Sequence, residues 1–298
     1  MLRLDALREL AWEAREVWQE AESRIQVFEV NGRKISYKDL GIMGVINLSS
    51  DSWYRESVAL STEAAVRRGG VLKALGADIL DIGAESSLLN AMRVDADLQN
   101  SRLLPVVKRL SEEGCIVSVE TYHPEVTRAC FDAGARVLNL TGTANTDDHF
   151  RIVAEYDGAV IICFVQGEDV RSVGDLNLDG DGIGMLRNYF KRKIDEALKR
   201  GVRKIWIDPG LGFYYRNLED SGRRIRYQME VFLKSYRLLE LGWPICNALP
   251  HAFECFEEEV RIAESFFAVL AALGGTQLFR THEIAKVRGV LKALSLWV

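Results

Sequence analysis

The sequence predicts a (β/α)8 barrel, a ring of eight parallel strands enclosed by helices. Eight short apolar segments alternate with segments of helical periodicity from residue 41 to the end of the 298-residue chain. Four of the apolar segments end in a polar residue, as strands do where they reach the active-site rim of an α/β enzyme: Asn47, Glu120, Asn139 and Asp208. A Pro-Gly turn directly follows Asp208, which makes this strand end the most informative of the four.

The spacing of apolar residues places each element of the barrel. Strands are predicted at residues 41–47, 78–82, 115–120, 136–140, 159–163, 203–207, 243–247 and 277–280. Helices are predicted at residues 61–76, 101–113, 124–134, 147–156, 182–200, 223–241, 257–273 and 283–296. A doubly wound open sheet is the alternative fold, but no G-x-G-x-x-G segment supports it.

A helix and a hairpin precede the first barrel strand. Residues 4–24 carry apolar side chains at three-to-four spacing, which predicts a helix. Two alternating segments then flank Asn31-Gly32, a dipeptide typical of a tight β-hairpin. We expect residues 1–38 to pack beneath or beside a barrel formed by residues 39–298.

Composition indicates a globular protein. The chain is 48% hydrophobic and 27% charged, and its net charge of −5 gives no reason to expect nucleic acid or an anionic membrane surface as a partner. No apolar run approaches the roughly 18 residues of a membrane span. The five cysteines are odd in number and lack metal-site spacing, so a reducing, cytoplasmic setting is expected.

Six segments at the strand ends have the form of short sequence motifs: 43–53, 76–86, 117–126, 134–139, 208–213 and 280–283. Together they resemble, in the same order, the motifs of the dihydropteroate synthase family, the pterin-binding barrels of folate synthesis. The resemblance runs from about residue 40 to the end of the chain. It identifies the chain as a divergent member and implies a transferase that condenses a dihydropterin-methyl pyrophosphate with an arylamine and releases pyrophosphate.

The resemblance also implies a pterin floor. A carboxylate can accept two adjacent N–H donors from the aminopyrimidinone edge of a pterin, and Asp208 is the candidate for that role. Glu120 and Asn139 would meet the remaining polar atoms of the ring, and Phe213 would pack beside it.

The leaving group requires positive charge. The resemblance assigns the pyrophosphate to Asn47, Arg280 and His282, with the Arg280 guanidinium also lying along the pterin. Asn47 would supply one oxygen to Mg²⁺, the expected cofactor, whose other ligands would be substrate oxygens and water. The catalytic candidates are Asp208, Arg280 and His282. Members of the family commonly pair through outer helices, so a homodimer is expected.

Several departures from the family pattern affect the arylamine end. The S-R-K-S stretch is replaced by residues 247–253, where His251 is the only nearby cationic candidate. The arginine that follows the second strand is missing, an acidic loop position has become Arg55, and an aspartate has become Glu120. We therefore expect p-aminobenzoate or a non-standard analogue as acceptor. Asp81 and Glu85 are interpreted as hydrogen-bonding struts.

Two other functions stay open. A methyltetrahydrofolate:corrinoid methyltransferase would use a similar acid–amide–acid floor together with Asn247 near the end of the seventh strand. A catalytically silent paralogue would bind pterin and act through a partner, with Leu88-Leu89 and the N-terminal helix as interaction surfaces.

Overall fold

A computed structural model describes residues 2–49, 57–86, 93–167, 175–176, 181–212, 218 and 220–297. Phe213, Arg55 and the Leu88-Leu89 pair lie outside the described residues.

The N-terminal segment forms the predicted helix and hairpin. Helix α1 spans Leu4–Arg24, as the periodicity predicts. Strands β1 (Phe28–Val30) and β2 (Arg33–Ile35) pair antiparallel. Asn31 and Gly32 connect them with φ values of 47° and 78°. Positive φ at both central residues is the requirement of the tight hairpin turn that Asn-Gly favours.

Eight parallel strands then form a nearly closed barrel, which confirms the predicted fold class. They are β3 (Gly41–Asn47), β4 (Ile79–Gly83), β5 (Ile116–Glu120), β6 (Val137–Leu140), β7 (Ala159–Cys163), β8 (Ile205–Asp208), β9 (Cys246–Ala248) and β10 (Leu278–Thr281). Each strand from β3 to β7 pairs with the next, and β10 lies between β3 and β9. One isolated bridge, from Ile207 to Ile245 just before β9, links the two ends of the sheet, so the ring is nearly closed.

Helices cover the outside of the ring. They are α2 (Thr62–Leu75), α3 (Ala96–Glu112), α4 (Pro124–Asp132), α5 (Thr146–Glu155), α6 (Gly182–Lys199), α7 (Ser221–Lys234), α8 (Phe253–Phe256), α9 (Ala263–Leu273) and α10 (Ile284–Leu294), with 3₁₀ segments at Ser235–Leu241 and Glu257–Ile262. None of the described helices is long and apolar enough to cross a membrane.

Several helix boundaries differ from the prediction, and two of the differences have local reasons. Helix α3 begins at Ala96 instead of residue 101, because the Asp95 side chain accepts a hydrogen bond from the Leu98 N–H and caps the helix there. The continuous helix predicted at 223–241 changes at residue 235 from α to 3₁₀ geometry, where the Ser235 hydroxyl bonds the Val231 carbonyl oxygen instead of facing solvent.

The hairpin closes the lower end of the barrel. Phe28, Val30 and Ile35 share one buried cluster with inward-facing barrel residues, among them Met43 and Trp206. The Phe28 and Trp206 rings meet edge to face with centroids 4.8 Å apart. Because this end is filled with apolar side chains, ligand chemistry is confined to the opposite rim, where the strands end. The division into residues 1–38 and 39–298 as separate units stays a prediction.

Replacing Phe28 with alanine tests the contribution of this plug. We expect Phe28→Ala to lower the free energy of unfolding by about 3 kcal/mol, because it leaves a cavity under Trp206. Urea denaturation followed by tryptophan fluorescence measures the change. The control is Val27→Ala, since Val27 is 57% exposed and its truncation should change stability by about 0.5 kcal/mol or less. Equal effects of the two variants would contradict the role of the hairpin as a plug.

Candidate functional site

Asp208 ends strand β8 inside the barrel. The residue is only 3% exposed. Its Oδ1 atom accepts a hydrogen bond of 2.8 Å from the Gly210 N–H, in a turn where Gly210 has a φ of 75°. Burial raises the pKa of Asp208 to about 6, although the Gly210 N–H and the charge of Arg280 oppose the shift. The carboxylate is thus held rigidly and is ionised at neutral pH.

Arg280 connects the carboxylates of two other strands. From β10, its Nε donates to Asp81 Oδ2 at 2.8 Å, and its Nη2 donates to Glu120 Oε2 at 3.3 Å. Asp81 lies on β4 and Glu120 ends β5. Burial disfavours the charged guanidinium, but Asp81 and Glu120 outweigh that effect and raise the pKa of Arg280. One cation therefore links two acids across the rim.

Asp81 organises the floor beneath this cation. Its Oδ2 also accepts from Asn139 Nδ2 at 3.1 Å, and its Oδ1 accepts from Ser118 Oγ at 2.7 Å. Since the amide nitrogen of Asn139 is engaged by Asp81, its oxygen is the atom that can accept from a ligand. Asp81 is thus a structural support, as interpreted from the sequence, and also a direct partner of two site residues.

Glu120 is a second acid of the site whose pKa is raised. Its Oε1 accepts from Thr141 Oγ1 at 3.0 Å, while its Oε2 meets Arg280. Burial raises the pKa of Glu120 well above its usual range, Arg280 opposes the shift, and the charge of Asp81 adds to it. Near neutral pH the group can therefore either accept or donate a hydrogen bond to a ring nitrogen of a ligand.

Asn47 lies at the end of β3, where hydrogen bonds hold its side-chain nitrogen and its backbone carbonyl oxygen. Its side-chain Nδ2 donates to Ser57 Oγ at 2.5 Å. Its backbone carbonyl oxygen accepts from the Ala59 N–H at 2.8 Å. The side-chain oxygen of Asn47 is thereby oriented away from Ser57. It offers the hard oxygen donor that Mg²⁺ prefers.

His282 belongs to a second cluster, separate from the contacts of Arg280. Strand β10 ends at Thr281, and the Nδ1 atom of His282 lies 2.9 Å from Glu264 Oε1. Glu264 lies in the first turn of helix α9 and is fully buried. Arg280 and His282, which the resemblance assigns to one pyrophosphate, thus make hydrogen bonds to different acids, and their shared role stays a prediction.

His251 completes this second cluster. Its Nε2 atom lies 3.7 Å from Glu264 Oε1, and its ring centroid lies 5.7 Å from that of His282. Burial lowers the pKa of His251 to about 4, with the charge of Glu264 opposing the shift. The imidazole is therefore neutral at physiological pH and does not itself replace the positive charge of the lysine that the family carries in this stretch.

Asn247 does not share the site. Its neighbour Cys246 lies in the inward-facing cluster, so alternation along β9 directs Asn247 toward the outer helices. There its Nδ2 donates to Thr276 Oγ1 at 2.7 Å. Asn247, the residue that suggested a methyltransferase, therefore lies between the strands and the outer helices and does not face the rim.

Sequence reasoning missed Glu264 and undervalued Asp81. Asp81 lies two residues before the end of β4, so it is on the same face of the strand as the last residue. That spacing could have indicated that Asp81 points into the barrel. Glu264 carried no signal, because its partners at residues 281–283 meet it only in the fold. Glu85 behaves as the expected strut, since it accepts from Gln99 Nε2 at 3.0 Å.

Comparison with known proteins shows the family to which the chain belongs. Residues 43–282 match the family described as pterin binding enzyme. A dihydropteroate synthase of Streptococcus pyogenes serotype M6 is 28% identical over 276 residues, covering 89% of this chain and 98% of that protein. The dihydropteroate synthase of Mycobacterium leprae is 27% identical, covering 89% of this chain and 95% of that protein.

A solved relative extends the match to three dimensions. The Xanthomonas albilineans dihydropteroate synthase with 4-aminobenzoic acid superposes with a TM-score of 0.74 at 27% identity, covering 91% of this chain and 96% of that chain. The family match begins inside β3 and ends at His282, so it includes the rim where the candidate residues lie. This chain belongs to the family of pterin-binding enzymes.

Proposed function

We propose that the chain is a transferase of the dihydropteroate synthase type that acts in folate biosynthesis. The nitrogen of an arylamine attacks the methylene carbon of a dihydropterin-methyl pyrophosphate. A C–N bond forms, the C–O bond to pyrophosphate breaks, and the amine proton passes to water. The observation that carries the proposal is the buried Asp208 carboxylate, which shares the barrel rim with Asn139 and Arg280.

The pterin would lie over the floor formed by these residues. Asp208 would accept two N–H donors from the aminopyrimidinone edge, and the Asn139 oxygen would accept another. Glu120 would meet a ring nitrogen, and the Arg280 guanidinium would lie along the ring. Phe213 is retained as the residue beside the ring on the basis of resemblance. Such a floor rejects flat molecules that lack these donors, because they would leave buried acceptors unpaired.

The pyrophosphate would lie toward Asn47, Arg280 and His282. The side-chain oxygen of Asn47 fits Mg²⁺ by its chemistry, although it supplies one ligand of an octahedral shell, so substrate oxygens and water would have to provide the others. When bound, the ion would offset the negative charge that develops on the leaving group. The residues of the chain orient that group and hold positive charge near it.

The acceptor would enter where the chain departs from the family pattern. The lysine of the family is absent and His251 is neutral, so the pocket for the arylamine differs in charge from that of an ordinary member. We propose p-aminobenzoate or a non-standard arylamine as the acceptor. The same observation favours a second candidate, a catalytically silent paralogue that binds pterin without transferring it.

We further propose a homodimer in the cytoplasm. Exposed apolar side chains on helix α9, Phe266 and Leu273, support an interface through the outer helices. All five cysteines are free thiols, which supports a reducing compartment.

Turnover tests the transferase directly. With Mg²⁺, a dihydropterin pyrophosphate and a panel of arylamines, we expect pyrophosphate release that depends on the amine. Asp208→Asn should lower kcat/KM about 100-fold, because it removes charge-assisted hydrogen bonds to the pterin. The control is Asp157→Asn, since the Asp157 side chain is 83% exposed before strand β7. Tight pterin binding without release on any amine would instead support the silent paralogue.

The affinity for pterin should depend on pH through Asp208. We titrate with 6-hydroxymethylpterin, which carries no phosphate. Only the ionised carboxylate can accept both N–H donors, and the pKa of Asp208 is about 6. Affinity should therefore fall about tenfold per pH unit below that value. In calorimetry, Asp208→Asn should bind weakly with no such dependence, and a wild-type affinity independent of pH would exclude Asp208 as the pterin acceptor.

A further inference from the structure

We propose that His251, Glu264 and His282 form a binding site for a divalent transition metal ion, with Zn²⁺ as the expected ion. The site lies on the rim of the barrel, next to the residues assigned to the pyrophosphate. The position next to the pyrophosphate rests on the proposed function. The affinity for the metal does not, because it follows from the three side chains alone.

The three ligands converge from different parts of the chain. His251 follows strand β9 by three residues, and His282 directly follows the adjacent strand β10. Glu264 is in the first turn of helix α9. Their donor atoms all lie within 4.8 Å of one another. In the described part of the chain, this is the one group of three histidine, cysteine or acidic side chains close enough to hold an ion.

The carboxylate of Glu264 is prepared for a ligand on one side. Its Oε2 atom accepts from the Thr281 hydroxyl, from the His282 N–H at 2.9 Å and from the Glu283 N–H at 3.3 Å. Its Oε1 atom instead faces the two imidazoles. A ligating carboxylate whose other oxygen is held by the protein is the arrangement that fixes metal ligands in place.

The distances suit a metal of the size of zinc. Ligand atoms about 2.1 Å from a tetrahedral ion lie roughly 3.3 Å apart. The Glu264 Oε1 atom lies 2.9 Å from His282 Nδ1 and 3.7 Å from His251 Nε2, on either side of that value. All three donor atoms lie within 4.8 Å of one another, so an ion between them would draw the two imidazoles closer to the Glu264 carboxylate.

The donor set selects the kind of ion. Two imidazoles and one carboxylate are the ligands of catalytic zinc in several hydrolases, and they favour Zn²⁺ or Co²⁺ over Mg²⁺. Three protein ligands leave a fourth position for water or a phosphate oxygen. An ion there would return positive charge to the stretch in which the lysine of the family is missing. The rim would then contact the leaving group through a metal as well as through Arg280.

Calorimetry on the chelator-treated full chain tests the site without any pterin. We expect one Zn²⁺ per chain, bound with a micromolar or lower Kd. Glu264→Gln should weaken binding at least 100-fold, since the amide keeps the hydrogen bonds of Oε2 but loses the ligand charge. His251→Gln should have a similar effect. The control is His123→Gln, because His123 is 34% exposed and outside the cluster, and this variant should bind zinc as the wild type does.

Cobalt provides an independent readout. Bound Co²⁺ should give the visible absorption of a tetrahedral site in the wild type and the control, and that absorption should be absent in both ligand variants. Circular dichroism checks that each variant is folded. No zinc binding by the wild-type chain, or binding that neither ligand variant weakens, would overturn the proposal and leave a hydrogen-bonded histidine–glutamate pair. Zinc binding without transferase turnover would overturn the proposed function alone.

Discussion

The Arg280 guanidinium balances the acidic side chains that gather at the barrel rim. It donates directly to Asp81 and Glu120, and its charge also acts on Asp208. Buried carboxylates without such a cation would each carry a desolvation penalty of several kcal/mol. The acids can therefore remain close together only because one cation reaches them from β10. A ligand rich in N–H donors can share these acceptors, which is the property that suits the rim to a pterin.

The rest of the barrel limits where this chemistry can occur. Apolar side chains of the hairpin fill the lower end, so the polar residues on alternate positions of the strands collect at the opposite rim. Asp81 is one layer below the rim and connects Ser118, Asn139 and Arg280. A fixed layer of hydrogen bonds thus orients the side chains that would meet a substrate. Such preorganisation lets a site distinguish ligands without a large rearrangement.

Much of this arrangement could be predicted from local patterns. The eight apolar segments and the polar residue after each informative strand gave the barrel and the strand-end positions of Asn47, Glu120, Asn139 and Asp208. Residues two apart in a strand point to the same face, but this rule holds only within the strand. Strand β10 ends at Thr281, so periodicity could not predict that Arg280 and His282 have different partners. Glu264 could not be predicted either, because its role depends on partners that are distant in the sequence and meet it only in the folded chain.

The pterin floor that we propose consists of Asp208 and Asn139, with Arg280 along the ring. A crystal structure of the chain with a dihydropterin pyrophosphate would test this binding mode. We expect the aminopyrimidinone edge within hydrogen-bond distance of the Asp208 carboxylate and the Asn139 oxygen, and the pyrophosphate toward His282. A pterin bound elsewhere, with the hydrogen bonds of Asp81, Glu120 and Arg280 unchanged and no contact to Asp208, would show that this floor does not bind the pterin.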